Sequence, residues 1–144
     1  LIEKSNEFKK LVIKIENDQI IHKNKFLEKE LDLKSKLSKI EELKLILENS
    51  ELEKEINKYN ENLKKFNNQI NKFNTHYENQ INNLKSKILD KILEILKKYS
   101  LDNQIDLILD SSNYILSSNT INITNLVLDE LNKIKFDTSF EKFK

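Results

Sequence analysis

Apolar residues recur in the middle of the chain at steps of alternately four and three. Between Leu52 and Tyr77 they are Leu52, Ile56, Tyr59, Leu63, Phe66, Ile70, Phe73 and Tyr77. This heptad spacing is typical of a helix that packs along a partner helix. The stripe continues to Tyr99 with longer steps, which relax a left-handed supercoil. The pattern predicts one helix over residues 51–99.

The first part of the chain carries a similar but looser stripe. Its apolar members are Phe8, Val12, Ile15, Phe26, Leu33, Leu37, Ile40 and Leu47, and polar residues take the seam positions Gln19, His22, Glu30 and Lys44. An amphipathic helix must bury its stripe on another helix, and the nearest one belongs to the same chain. We therefore predict an antiparallel coiled-coil hairpin, with one uninterrupted helix as the alternative.

A short polar segment separates the two stripes. Asn49 suits the left-handed end of the first helix, and Ser50 with Glu53 forms an S-x-x-E capping box for the second. We expect the hairpin tip at residues 49–50 and an arm made of residues 1–100.

The periodicity changes after Tyr99 from helical to alternating. Residues 105–110 put their apolar side chains on one face, and residues 114–117 follow a turn of Asp, Ser, Ser and Asn. Thr124 is a suitable N-cap for a final helix with Leu126, Val127, Leu131 and Ile134 inward. The pattern predicts a small head of two strands and a helix over residues 101–135. Residues 136–144 form a tail without sustained periodicity.

The composition limits the chemistry. The chain has no Cys, which excludes thiol chemistry and disulfides, and no Gly, which excludes phosphate loops and dinucleotide fingerprints. Abundant Lys, Asn and Ile without Gly or Pro fit an AT-rich genome as well as a helical rod. The 25 basic and 24 acidic residues leave a net charge of +1, so we expect no nucleic-acid partner.

No catalytic constellation is recognisable in the sequence. Asp106 and Asp110 have no neighbouring nucleophile or base, and we expect no enzyme activity and no cofactor. His22 and His76 could nearly face each other in the hairpin, but two histidines make a poor metal site. A metal is therefore not predicted.

Four short motifs after residue 100 resemble the Skp/OmpH chaperones in order and spacing. They are Leu109-Asp110, Tyr114-Ile115-Leu116-Ser117, Ile123-Thr124, and Val127 with Leu131, and Asn122 replaces the aspartate of the family. The beginning is also similar: Leu1 to Ser5 precede Phe8-Lys9-Lys10-Leu11, with Phe8 in place of a glycine. On this alignment the first strand of the family and a removed signal peptide would precede Leu1.

The resemblance implies a mainly α fold with a small β head, in which three subunits join and from which helical arms hang like tentacles. It implies an ATP-independent chaperone that holds unfolded outer-membrane proteins in the periplasm. In this reading the trimer interface contains Ile105, Leu107, Leu109, Tyr114 and Leu116. Apolar residues partly off the seam are candidate client contacts, namely Ile20, Ile21, Leu45 and Ile46.

Two other interpretations stay open from the sequence. Lysines near the tip could touch lipid headgroups or lipopolysaccharide, although the glutamates among them favour a plain solvated surface. The alternative to a chaperone is a structural coiled-coil or adaptor protein that docks a partner helix. A prefoldin-like chaperone also combines a hairpin with strands, but its strands lie between the helices.

Overall fold

The computed structural model describes residues 1–144, with every side chain except that of Ser111. Two long helices dominate, α1 (Asn6–Leu43) and α2 (Asn49–Asp102), and a short helix, α3 (Thr124–Lys133), follows. Three 3-10 turns complete the elements, at Ile2–Lys4, Ser111–Asn113 and Asn119–Ile121. The fold is mainly helical with a long helical hairpin, as the heptad pattern predicts.

Residues 44–48 connect α1 to α2. The carbonyl of Glu48 accepts hydrogen bonds from the N–H groups of Glu51 and Leu52, at 3.1 and 3.0 Å, and so begins α2. Asn49 and Ser50, where we expected the tip, already lie in this helix. The turn can form earlier because it is closed by backbone hydrogen bonds such as Leu47 N–H to the Leu43 carbonyl, 2.9 Å, without a capping side chain.

The chain forms two units. The three-helix unit contains residues 1–14 and 79–141, and the two-helix unit contains residues 15–78 and 142–144. The buried apolar side chains of the three-helix unit come from α1, α2 and α3: Phe8, Leu11, Leu84, Ile88, Ile92, Val127 and Leu131. Each of the three helices therefore contributes its apolar face to one core.

Hydrogen bonds between distant residues complete the three-helix unit. The Oδ1 atom of Asn132 on α3 accepts a hydrogen bond from the N–H of Asn6 at 2.9 Å. Asn6 is the first residue of α1, where backbone N–H groups have no partner within the helix. The buried Ser5 hydroxyl donates to the carbonyl of Ile2 at 2.8 Å. The start of α1 is thus held by a side chain of α3 and by its own preceding turn.

The strand pair of the predicted head is not confirmed. Over the described residues the structure has helices and turns and contains no strand, so residues 105–110 and 114–117 form no ladder. Instead, Asp110 Oδ1 accepts hydrogen bonds from the N–H and the hydroxyl of Ser112, at 3.0 and 2.7 Å, and begins a 3-10 turn. Two segments this short bury too little apolar surface to hold a two-stranded ribbon in water.

The final helix is present, but its start differs from the prediction. Thr124 was expected as the N-cap, and that expectation is wrong, because Thr124 is the first helical residue and donates its N–H to Asn122 Oδ1 at 3.0 Å. An amide two residues upstream satisfies the backbone in the manner of an Asx turn. Val127 and Leu131 are buried as expected, whereas Leu126 is exposed.

The end of α2 has an unusual backbone. Gln104 has a φ of 55°, and the Ile105 N–H donates to the carbonyl of Ser100 at 2.9 Å. This is the left-handed helix ending at which glycine is usual. Gln104 fills that place in a chain without glycine.

In the two-helix unit the two long helices pack along one seam. Ile15, Leu33 and Ile40 of α1 and Phe73 and Tyr77 of α2 are buried. The Phe26 ring meets the rings of Phe66 and Phe73 edge to face, at 6.1 and 5.1 Å between centroids. None of the helices described in the structure has both the length and the apolar character needed to cross a membrane.

The tail, residues 136–144, has no regular secondary structure. In the three-helix unit, Lys14 Nζ donates to the carbonyl of Thr138 at 3.2 Å. The Gln80 side-chain amide pairs with the backbone of Glu141, accepting from its N–H at 2.7 Å and donating to its carbonyl at 3.1 Å. Side chains thus hold an irregular segment in place where a strand or helix partner would otherwise be needed.

Candidate functional site

Part of α1 presents apolar side chains to solvent in the two-helix unit. Ile20, Leu27 and Leu31 are each more than half exposed, and we call them the outer stripe. At 100° per residue they lie about 120–160° around the helix axis from the buried seam residues Ile15 and Leu33. The outer stripe is therefore a second apolar face that α2 does not cover.

The partner helix carries no such face in this unit. From Asn49 to Glu78, α2 contains no large apolar side chain that is exposed in the described structure. Its apolar residues are all half-buried or buried in the seam, with Phe73 and Tyr77 deepest. Exposed apolar surface in this unit belongs to α1 and the connection that follows it.

The four candidate client contacts are all exposed. Ile20 and Ile21 are 57% and 55% exposed on α1, and Leu45 and Ile46 are 90% and 81% exposed in the turn. Contact with a client requires such exposure. The sequence pattern placed these residues by their position off the seam, but Leu27 and Leu31 of the outer stripe were missed, although their spacing from Ile20 was readable.

The five candidate interface residues are not brought together into a sheet. Leu107, Leu109, Tyr114 and Leu116 are exposed, and Ile105 is half-buried. Ile115, which strand alternation would place on the opposite face, is fully exposed as well. Apolar side chains that strand alternation would place on opposite faces are thus all exposed to solvent in this region.

A buried carboxylate was missed by the sequence pattern. Asp18 is only 6% exposed, and its Oδ2 atom accepts hydrogen bonds from the Tyr77 hydroxyl and from the Phe143 N–H, the latter at 3.3 Å. Asp18 follows Ile15 by three positions and precedes His22 by four, which is seam spacing. The prediction had assigned the neighbouring Gln19 to this seam position.

The hydrogen bonds of Asp18 shift two pKa values. Burial acts to raise the pKa of Asp18, but hydrogen bonds from Tyr77 and Phe143 and the positive charges of His22 and Lys142 outweigh it and leave the pKa below its ordinary 3.8. Burial, with the hydrogen bond to Asp18 and its negative charge, raises the pKa of Tyr77 to about 12. The pair is thus an ionised carboxylate and a neutral phenol at neutral pH.

His22 and His76 meet the same ring. Their imidazole centroids lie 5.3 and 5.6 Å from the centroid of Phe143, in nearly perpendicular and tilted geometry. Among the side chains that the structure describes, no group of three or more His, Asp or Glu is arranged to hold a metal. The two histidines line an aromatic cluster with Phe73, Tyr77 and Phe143.

The comparison with protein families decides the assignment. The model of the family described as "Outer membrane protein (OmpH-like)" matches residues 1–131. The chain belongs to the OmpH-like family. No curated protein and no solved structure matches it.

OmpH-like membership confirms the resemblance drawn from the motifs around Leu109, Tyr114 and Val127. At the level of the family it places this OmpH-like protein among chaperones associated with outer-membrane proteins, a class that is not enzymatic. The match ends in α3, so the tail with Phe143 lies outside the part that the family describes.

Proposed function

We propose that this OmpH-like protein is an ATP-independent holding chaperone that keeps unfolded outer-membrane β-barrel proteins soluble in the periplasm. The observation that carries the proposal is the outer stripe on α1, together with the exposed Leu45 and Ile46 of the turn. A soluble helix pair gains nothing from leaving such side chains uncovered, so exposed apolar surface of this kind marks an interaction site.

The strength of these contacts suits a protein that must release its clients. Covering an already half-exposed Leu or Ile contributes roughly 1 kcal/mol, and several such contacts must offset the cost of ordering a flexible client. Exposed charged residues beside the outer stripe, such as Lys23, Glu28 and Lys34, keep the surrounding surface hydrated. Binding therefore rests on many weak contacts, which a competing partner can displace.

We also propose that three copies assemble through residues 105–116. The exposed Leu107, Leu109, Tyr114 and Leu116 would be covered if strands from several subunits formed one sheet, since a longer shared sheet can be stable where a two-stranded ribbon is not. Sedimentation at micromolar concentration tests this part, and a monomer under those conditions would contradict it.

The holding activity is tested by diluting a urea-unfolded outer-membrane barrel protein into buffer with the full chain and recording light scattering. We expect suppressed scattering without ATP. Changing the outer stripe by Ile20→Ser, Leu27→Ser and Leu31→Ser should weaken client binding at least tenfold, because about 1 kcal/mol is lost at each position.

The matched control changes exposed apolar residues elsewhere on the hairpin. Leu89 and Leu93 of α2 are exposed to a similar degree, so Leu89→Ser with Leu93→Ser should leave client binding unchanged. Equal losses in the two variants would show that general surface hydrophobicity, rather than the outer stripe, holds the client. Undiminished scattering at a tenfold molar excess of the unchanged chain would refute the holding function.

A further inference from the structure

Phe143 of the tail sits in a ring cluster on the two-helix unit. Its centroid lies 5.3 Å from the rings of both His22 and Phe73 and 5.6 Å from that of His76. The contact with Phe73 is edge to face at 90°, the geometry that aromatic pairs prefer. Three rings from two helices therefore surround a single aromatic side chain.

The main chain at Phe143 is recognised as well. Its N–H donates to Oδ2 of Asp18, and the Tyr77 hydroxyl donates to the same oxygen. A carboxylate in a helix seam costs free energy unless hydrogen bonds satisfy it, and here one of its partners is a peptide N–H from an irregular segment. Asp18 thus binds the backbone N–H, while the rings contact the side chain. Extended peptides are commonly bound through both kinds of contact.

The segment that fills the site is irregular: side chains hold its backbone at Thr138 and Glu141, and Phe143 contacts the ring cluster. Lys142 and Lys144 on either side of Phe143 are exposed, and the tail contributes neither helix nor strand. Segments with few buried contacts open at small cost compared with the cores that they cover. The bound and released forms of such a segment can therefore exchange while the helices stay folded.

We propose that Asp18, His22, Phe73 and His76 form a binding site for an aromatic residue within an extended peptide, and that Phe143 occupies this site as an internal ligand. The identity of the external ligand rests on the proposed holding function: an aromatic residue of the unfolded client enters the site and displaces Phe143. A tethered ligand competes at an effective concentration in the millimolar range, so it lowers the apparent affinity for any peptide in trans.

The first experiment compares peptide binding by full-length variants, measured by fluorescence anisotropy. The probes are a labelled five-residue peptide with one central phenylalanine and the same peptide with alanine. Phe143→Ala removes the internal ligand and should bind the phenylalanine peptide about tenfold more tightly than the unchanged chain does. Phe140→Ala, a change in the same tail outside the ring cluster, should bind like the unchanged chain.

Equal affinities of both variants and the unchanged chain for the phenylalanine peptide would overturn the proposal. Equal affinities of Phe143→Ala for the two peptides would also overturn it, because the site would then not select an aromatic ring. Circular dichroism of Phe143→Ala should show unchanged helix content, and a variant that loses its helices contradicts the release of Phe143 from folded helices, on which the proposal depends.

A second variant keeps the site filled. The chain has no tryptophan, so Phe143→Trp introduces a single emitter at the site. Adding an unfolded barrel protein without tryptophan should shift the emission to the red as the ring enters water. If the client binds while the emission stays constant, displacement is refuted and the holding function stands. If only the phenylalanine peptide shifts the emission and no client binds, the site stands and the holding function fails.

Discussion

The two units bury their helices to different extents. In the three-helix unit, α3 adds a third apolar face, and Ile88 and Val127 are fully buried. In the two-helix unit, each long helix packs on only one other helix, and the seam contains the carboxylate of Asp18; exposed apolar side chains occur in both units, as the outer stripe in one and Leu89 and Leu93 in the other. The difference teaches that one short helix of ten residues is enough to change a helix pair into a closed core.

The largest expected effect comes from a substitution in the core of the three-helix unit. Ile88→Ala should lower the free energy of unfolding by about 3–4 kcal/mol, because it leaves a cavity among three helices that cannot collapse. Leu33→Ala in the two-helix seam should cost about 2 kcal/mol, since solvent reaches its surroundings. Urea denaturation followed by circular dichroism measures both.

Leu93→Ala serves as the control for those two changes, because Leu93 is exposed and its truncation should be nearly neutral. Equal losses for Ile88→Ala and Leu33→Ala would contradict the difference between the units.

The next effect concerns the contribution of the buried Tyr77–Asp18 pair to stability at high pH. Tyr77→Phe removes a hydrogen bond to a carboxylate and should cost about 2 kcal/mol at pH 7. The pKa of Tyr77 is raised from 10.0 to about 12 in the folded chain, so its contribution is complete below pH 10 and is lost as the pH rises towards 12. The urea midpoint should therefore fall less between pH 8 and pH 11 in Tyr77→Phe than in the unchanged chain.

The same pair has an opposite dependence at low pH. The pKa of Asp18 is lowered in the folded chain, so its contribution is present above the ordinary value of 3.8 and is lost as the pH falls through the folded-state pKa. Asp18→Asn should remove part of this acid sensitivity when urea midpoints are compared at pH 7 and pH 3. If the urea midpoint falls equally in Asp18→Asn and in the unchanged chain, other carboxylates cause the acid sensitivity.

A smaller effect tests the contact between α3 and the start of α1. Asn132→Ala removes the acceptor for the Asn6 N–H and should cost about 1 kcal/mol, the usual value of a lost N-terminal cap. Because Asn132 is partly exposed, the change leaves no large cavity. Thermal melting should show a fall of a few degrees, and a larger fall would mean that α3 had detached.

The smallest expected effect has the opposite sign. Gln104 has a left-handed backbone, which costs a residue with a Cβ atom more than it costs glycine. Gln104→Gly should stabilise the chain by about 0.5 kcal/mol in urea denaturation. Leu101→Gly inside the last turn of α2 is the control and should destabilise it.

The helices could be predicted from the sequence because their packing partners lie at a fixed period. The seam from Leu52 to Tyr77 repeats over several heptads, so an error at one position does not alter the helix. The position of the turn depends instead on backbone hydrogen bonds at Glu48, which leave no mark in side-chain type. The predicted strands are not confirmed in the structure, since alternation over six residues does not identify the partner that would complete a ladder.

The candidate site was predictable only in part. Ile20, Ile21, Leu45 and Ile46 lie off the seam in the sequence and are exposed in the structure, so position on the helix was enough to find them. Asp18 was missed because a charged residue at a seam position looks like an interruption, and its partner Phe143 lies 125 residues away in a segment without periodicity. Contacts of irregular segments leave no local signal.

The hydrogen bond between Asn6 and Asn132 bears on the order in which the two units are expected to fold. It joins residues 126 positions apart, and the buried Val127 and Leu131 also come from the last part of the chain. Contacts this distant require the closure of a long loop, whereas the turn at residues 44–48 lets α1 and α2 of the two-helix unit pair early. We therefore expect the two-helix unit to form before the core that α3 completes.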